Sequence, residues 1–276
     1  MTKIRNILLV IIFALSLNGC EQFDDKSANS RSSLDGSRLD IIEENGVIRV
    51  GTTGDYLPFS YLNGDKLSGV DIELANELAK SLNVKVEFVS TTWPSLMDDL
   101  MADKFDIGMS GITITEERKS IAMFSRPMHE GGKAAISRDG ETDSFDTLAE
   151  INQPHVRVIF NPGGTNERFA RENFNNAILI ENEENITVFR KIVSGDADVM
   201  VTDAIETIVQ EKIHPELDAV NPNTPFSSSQ KAYLIQKDEK FKNYLDQWID
   251  TLKSTQELSN IINSQLEKSA RTVSEQ

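Results

Sequence analysis

The chain of 276 residues contains one cysteine, Cys20, so no disulfide can form within it. Its three histidines, His129, His155 and His214, are scattered without metal-ligand spacing and have no cysteine partner. No zinc site, no Ser-His-Asp arrangement, no metal and no cofactor are expected from such a set. Positive charge is also scarce, with 28 Lys and Arg against 44 Asp and Glu and a net charge of −16. That surface repels nucleic acid and offers nothing electrostatic to anionic lipid. No nucleic-acid motif is present, and an anionic ligand would need a local cationic pocket. The one long apolar run, Ile7 to Leu17, is too short for a membrane span. No solenoid-length repeat is visible. A content of 39% hydrophobic and 26% charged residues suits one or two globular domains rather than disorder.

Lys3 and Arg5 precede that apolar run, which ends at Asn18-Gly19-Cys20. A basic start and a short apolar stretch mark residues 1–19 as an export signal. Leu17-Asn18-Gly19-Cys20 resembles a bacterial lipobox, with Cys20 as the lipidated first residue of the mature chain. An ordinary signal peptide cleaved nearby is the alternative. Export implies the periplasm of a Gram-negative bacterium, with the membrane met only through the lipid at Cys20. Glu21 stands where the likeness to inner-membrane lipoproteins would prefer Asp, which favours the outer membrane. Residues 20–40 are rich in Ser, Asp, Lys and Asn without apolar period, and read as a flexible tether.

Beyond the tether, strands and helices alternate. Val47 to Gly51, Val84 to Val89, Asp106 to Met109 and Lys133 to Ile136 are strand-like, separated by helical spacing over 69–82, 93–101 and from Thr115. The theme recurs with strands at Val156 to Phe160, Ala177 to Ile180 and Asp198 to Val201, and helices at 167–174 and 186–194. A last strand at Ala232 to Gln236 precedes a mostly helical stretch from Phe241 to about Leu266. This α/β pattern implies mainly parallel sheets with flanking helices. Two extended crossings, near Lys133–Ile136 and Lys231–Leu234, suggest two lobes around a cleft.

Asn161-Pro-Gly-Gly-Thr165-Asn166 joins a strand to a helix. Its glycines allow close backbone approach, and the helix start offers N–H groups to an anion. A plain turn capped by Thr165 or Asn166 reads equally from the residues. Ser110-Gly-Ile-Thr113-Ile-Thr-Glu-Glu-Arg118 is the matching element of the first half. Ser110, Thr113 and Arg118 would hold a carboxylate there, or Thr115 caps a helix and Arg118 is solvated. Lys133 follows two glycines at a crossing, as a second cation or a solvated lysine. Trp93 is core or cleft wall. Asp203 and Glu206 open a helix after a buried strand. Asp-x-x-Glu is a capping-box spacing, while Glu206 at a strand's carboxyl edge is also placed to be a protonated acid.

Residues 46–60, Trp93-Pro94, 105–118, 130–134, 161–171, 195–206 and Lys231-Ala-Tyr-Leu234 together resemble the family 3 extracytoplasmic solute-binding proteins. More narrowly, they resemble its enzymatic branch, the periplasmic cyclohexadienyl dehydratases, over about 41–255. The resemblance implies a two-lobe type II periplasmic-binding-protein fold with two crossover strands at the hinge. Lobe 1 would hold 41–134 plus 231–266, lobe 2 would hold 135–230, and 267–276 would be a polar tail. It further implies conversion of prephenate to phenylpyruvate, or of arogenate to phenylalanine, with loss of CO2 and water and with no cofactor. Glu206 would be the acid, with Asn166 beside it. Arg118, Lys133, Thr113, Thr165, Ser110, Asp203 and Trp93 would fall on substrate-binding positions. The competing expectation is a non-catalytic amino-acid receptor of an ABC transporter, in which Asp203 holds an α-amino group. Oligomeric state is not legible.

Overall fold

The computed structural model describes residues 36–274, so the export signal, Cys20 and most of the expected tether lie outside it. The folded body starts slightly inside the tether segment. The Ser37 hydroxyl accepts from the Leu39 N–H and caps α1 (Arg38–Asn45), which buries Leu39 and Ile42.

The first lobe then runs through β1 (Val47–Thr52), β2 (Asp55–Tyr56), β3 (Ser60–Asn63), β4 (Lys66–Ser68), α2 (Val70–Ser81) and β5 (Lys85–Ser90). It continues through α3 (Leu96–Met101), β6 (Ile107–Gly108), α4 (Glu116–Ile121) and β7 (Met123–Phe124). Pro94 disfavours helical backbone at Trp93, and α3 accordingly opens at Leu96 rather than at Trp93. The second lobe is entered by β8 (His129–Gly131) and β9 (Lys133–Arg138), followed by α5 (Leu148–Ile151), β10 (Arg157–Phe160) and α6 (Thr165–Asn173). β11 (Ile178–Glu181), α7 (Val188–Val193), β12 (Val199–Asp203), α8 (Ala204–Ile213) and β13 (Leu217–Val220) complete it. The chain returns by β14 (Ser229–Lys231) and β15 (Leu234–Ile235) and ends in α9 (Glu239–Ser254) and α10 (Glu257–Ser274).

Both lobes carry a five-stranded sheet of the same plan. The orders are β5-β1-β6-β15-β7 and β11-β10-β12-β9-β13. In each, the strand arriving from the other lobe, β15 or β9, runs antiparallel to its neighbours, and the other described pairings are parallel. The crossings themselves are β8 and β14, which pair antiparallel, while Lys133–Arg138 is already a strand of the second sheet.

β12 shows why these strands form. All five of its residues are buried. Val199 and Val201 face the core built on Phe160 and Phe174, and Met200 faces the opposite core built on Phe189 and Ile192. A strand covered on both faces reads as a continuous apolar run, which Val-Met-Val supplies. The segment after residue 266, expected as a polar tail, is the continuation of α10. Leu258 and Ile261 bury in the first-lobe core, and Gln265 Nε2 donates to Glu73 of α2. Once that apolar stripe docks, extending the helix costs little even through polar sequence.

Candidate functional site

β6, β10 and β12 end on a common cavity between the lobes, lined by Gly111 and Asn161 past the first two strands and by Asp203 at the end of the third. Tyr56, Trp93, Arg118, Thr165, Asn185 and Lys231 complete most of its wall, around about 330 Å³ of empty space counting the mouth. Gly163 permits the close approach of the lobes here. Its φ is +79°, and a Cβ on it would fall 2.5 Å from Pro94 of the first lobe.

Asp203 is the hub. It ends β12 directly opposite Lys133 of β9 in the ladder, so register alone sets these two residues side by side. Lys133 Nζ lies 3.2 Å from Asp203 Oδ1, and Lys231 Nζ lies 2.8 Å from Oδ2. The Tyr56 hydroxyl also donates to Oδ2, at 2.5 Å. Burial alone would raise this carboxyl, but Lys133 and Lys231 hold it well below the usual carboxylate range. Asp203 occupies the N-cap position of α8 yet its side chain caps nothing. The capping-box reading of Asp203 and Glu206 is therefore not what the structure contains.

Glu206 is 1% exposed. The Thr202 hydroxyl donates to its Oε2 at 2.5 Å, and Oε1 accepts from no group among the described residues. Burial pushes its pKa up to about 8; the Thr202 hydrogen bond opposes this, and the Asp203 charge adds to it. The acid is thus largely protonated at neutral pH. Lys133 does not lie against it. Its Nζ donates to Asn166 Oδ1 and to Thr165 Oγ1 at 3.0 Å, and faces Asp203. Asn166 Nδ2 donates in turn to Asn161 Oδ1 and Thr202 Oγ1, both at 3.0 Å. Neither Lys133 nor Glu206 is among the lining residues: Lys133 contacts lining Thr165, Asn166 and Asp203 directly, while Glu206 is joined to lining Asn166 through the Thr202 hydroxyl.

The first lobe contributes a bare cation. Arg118 is 8% exposed, and Nη1 donates to the Thr113 carbonyl at 2.8 Å. No carboxylate pairs with it among the described residues. Burial, then the Arg168 charge, lowers its pKa to about 10, which still leaves it cationic. Its neighbour Glu117 instead meets Arg168 of α6 across the lobes. Thr115 does cap α4, so the cap and the buried arginine coexist. Trp93 is also both things proposed for it: it packs on two first-lobe cores and lines the cavity, with Nε1 donating to Asp55 Oδ1 at 3.1 Å.

Of the residues singled out in the sequence, Trp93, Thr113, Arg118, Thr165, Asn166 and Asp203 line the cavity. Ser110 does not; it is fully buried among the hydroxyls of Thr53 and Ser60. In the glycine turn, the Gly163 amide is taken by Glu167 at 2.7 Å, while Gly164 opens α6 without a side-chain cap. Tyr56, Asn161, Asn185 and Lys231 were missed. A lysine heading the otherwise apolar run Lys231-Ala-Tyr-Leu234 was a signal for one of them. The other three sit on a two-residue strand (Tyr56), just past a strand end (Asn161) and on a single 3-10 turn (Asn185), all too short for sequence spacing to show which way a side chain faces.

No helix of the described residues is long and apolar enough to cross a membrane, and no cluster there has metal-ligating composition. The pattern for bacterial extracellular solute-binding proteins, family 3, matches residues 48–267. A cyclohexadienyl dehydratase of Pseudomonas aeruginosa is 51% identical over 214 residues, covering 77% of this chain and 80% of its own. An ancestral amino-acid-binding protein, described as a precursor of cyclohexadienyl dehydratase, superposes with a TM-score of 0.78 at 35% identity, over 83% of this chain and 100% of its own. An ancestral cyclohexadienyl dehydratase superposes with a TM-score of 0.54 at 50% identity, over 84% of this chain and 97% of its own.

Proposed function

The chain belongs to the bacterial extracellular solute-binding proteins of family 3, and we propose that within that family it is a cyclohexadienyl dehydratase with Glu206 as its general acid. The observation carrying this is a buried glutamic acid, held up to about 8, beside a cationic cavity between two lobes. A receptor that only binds has no use for such a proton.

The charges suit a dicarboxylate. Arg118, Lys133 and Lys231 outnumber the carboxylates Asp203 and Asp55 around the cavity, and prephenate carries two carboxylates. Its ring hydroxyl is a poor leaving group. Glu206 gives its proton to that oxygen as the bond from the ring to the carboxylate carbon breaks. The electron pair moves through the diene and expels water, leaving CO2 and an aromatic ring. Prephenate plus one proton thus becomes phenylpyruvate, CO2 and water, and Glu206 recovers its proton from solvent. Arg118 and Lys231, which line the cavity, hold the carboxylates in place, and Lys133 adds its charge from behind Asp203. Closure excludes water and strengthens each of these contacts.

The receptor alternative assigns Asp203 to an α-amino group. Here Asp203 already meets two ammonium groups and a phenol, which speaks for the dehydratase. Purified protein supplied with prephenate at neutral pH should release phenylpyruvate, and arogenate supplied in its place tests the second substrate. A folded preparation that binds amino acids and forms neither phenylpyruvate nor phenylalanine would refute the assignment. Lipid anchoring at Cys20 in the outer membrane belongs to the same proposal. Cys20→Ser should move the protein from the membrane fraction to the soluble one.

A further inference from the structure

Asn185 carries a polar atom that the mechanism above does not use. It sits on the single-turn 3-10 segment Asn185–Thr187, just before α7 in the second lobe, and is 5% exposed. Its Nδ2 donates across the cleft to the Asp55 backbone carbonyl at 2.9 Å. A carbonyl oxygen only accepts, so this bond fixes which end of the amide is nitrogen. The oxygen at the other end, Oδ1, is buried and accepts from no donor within the described protein. Buried acceptors left in that state are uncommon. Asn185 lines the substrate cavity, and together with Trp93 and Asn161 it also lines the neighbouring outer chamber.

We propose that Asn185 is a specificity-determining residue whose Oδ1 accepts a hydrogen bond from a hydroxyl or ammonium donor on the substrate. Carboxylates cannot supply that hydrogen. A cyclohexadienyl substrate has two groups that can: the ring hydroxyl, common to prephenate and arogenate, and the α-ammonium, present only on arogenate. The bond to Asp55 ties the acceptor to closure, because the amide is oriented only when the second lobe meets β2. Trp93 Nε1 is no competitor for this oxygen, since it already donates to the Asp55 side chain. The inference rests on the dehydratase reading for the identity of the ligand.

Asn185→Ala removes the acceptor, and phenylpyruvate, which has neither a ring hydroxyl nor an ammonium, serves as the donor-free control. The variant's kcat/KM should fall by about tenfold to a hundredfold, as when a buried donor loses its one hydrogen-bond partner. If the donor is the hydroxyl, prephenate and arogenate fall together. If it is the ammonium, arogenate falls alone. In either case inhibition by phenylpyruvate stays within about twofold of the parent protein. Equal losses for phenylpyruvate and both substrates would mean that Asn185 serves closure only, and would overturn the proposal. Unchanged kinetics for both substrates would overturn it as well. Absence of turnover in the parent protein would instead remove the dehydratase reading itself.

Discussion

Asp203→Asn should move the alkaline limb of turnover downwards while leaving the acid limb in place. In the parent protein Glu206 is held up to about 8, and one contributor is the negative charge of Asp203. The two residues are i and i+3 at the start of α8, so their β-carbons are about 5–6 Å apart. With charge centres about 7 Å apart and an effective dielectric near 20, the repulsion is about 2 kcal/mol, or roughly one and a half pH units. Removing it also leaves Lys133, which lowers Glu206, without its counter-charge. Both changes act in the same direction. An acid moved from about 8 to roughly 6.5 is protonated to about a tenth at pH 7.5, so kcat there falls about eightfold and recovers near pH 6. The substitution leaves two buried lysines unpaired, at a cost of about 3–5 kcal/mol, so the profile is measured where circular dichroism shows the variant folded. The assay is release of phenylpyruvate against pH. A variant that loses the same factor at every pH, or keeps its limb near 8, would refute the electrostatic account.

Glu206→Gln should abolish turnover and retain ligand binding by calorimetry; loss of binding with activity retained would return the residue to a structural role. Linkage adds a stability signature. A carboxyl whose folded pKa is raised from 4.5 to about 8 contributes stability that is fully present below about 4.5 and is lost as pH rises through 8. The parent Tm should therefore decline over that window more steeply than that of Glu206→Gln. Arg118→Met removes a buried guanidinium that has no carboxylate partner, so Tm should hold or rise while KM for prephenate climbs at least about tenfold. An unchanged KM would take Arg118 out of the site.

Much of the fold was legible because apolar runs and helical spacing are local properties. Val-Met-Val of β12 is hydrophobic throughout because both its faces are covered. The ends of the folded body were harder to read. α1 begins in Ser-Arg-Leu-Asp, too short a segment to show a period before Ile42, and the end of α10 is helical because Leu258 and Ile261 are docked far upstream. Within the site, Asp203 and Glu206 were visible but undecided. Asp-x-x-Glu looks the same whether the aspartate caps the helix or turns to a partner. What decides it is the register that sets Lys133 opposite Asp203, together with the arrival of Lys231 about thirty residues later along a strand from the other side of the cleft. Neither is encoded in the local spacing. Ser110 failed for a related reason: a hydroxyl beside a glycine turn can face a ligand or its own neighbours, and here Thr53 and Ser60 claim it.

The site has to meet two opposed electrostatic demands. A dicarboxylate ligand calls for several cations in a cavity that closure dries, and dry cations strip protons from acids. A neutral glutamic acid in the same cavity calls for the opposite field. Asp203 resolves the conflict by position. Standing between the lysines and Glu206 in the chain's own geometry, it offsets one ammonium charge, stays ionised because both lysines touch it, and raises the carboxyl one helical turn away. The Lys133 ammonium is further occupied by Thr165 and Asn166, so its hydrogens point away from the acid. Replacing Lys133 with Met would therefore not protonate Glu206 more usefully. Lys133 lowers that acid, so its loss raises the pKa and extends the alkaline limb, but it also leaves the cavity one charge short for a dianion. The expected result is a higher limb with a raised KM. A limb that instead falls would show that Lys133 and Asp203 do not act on Glu206 as a compensated pair.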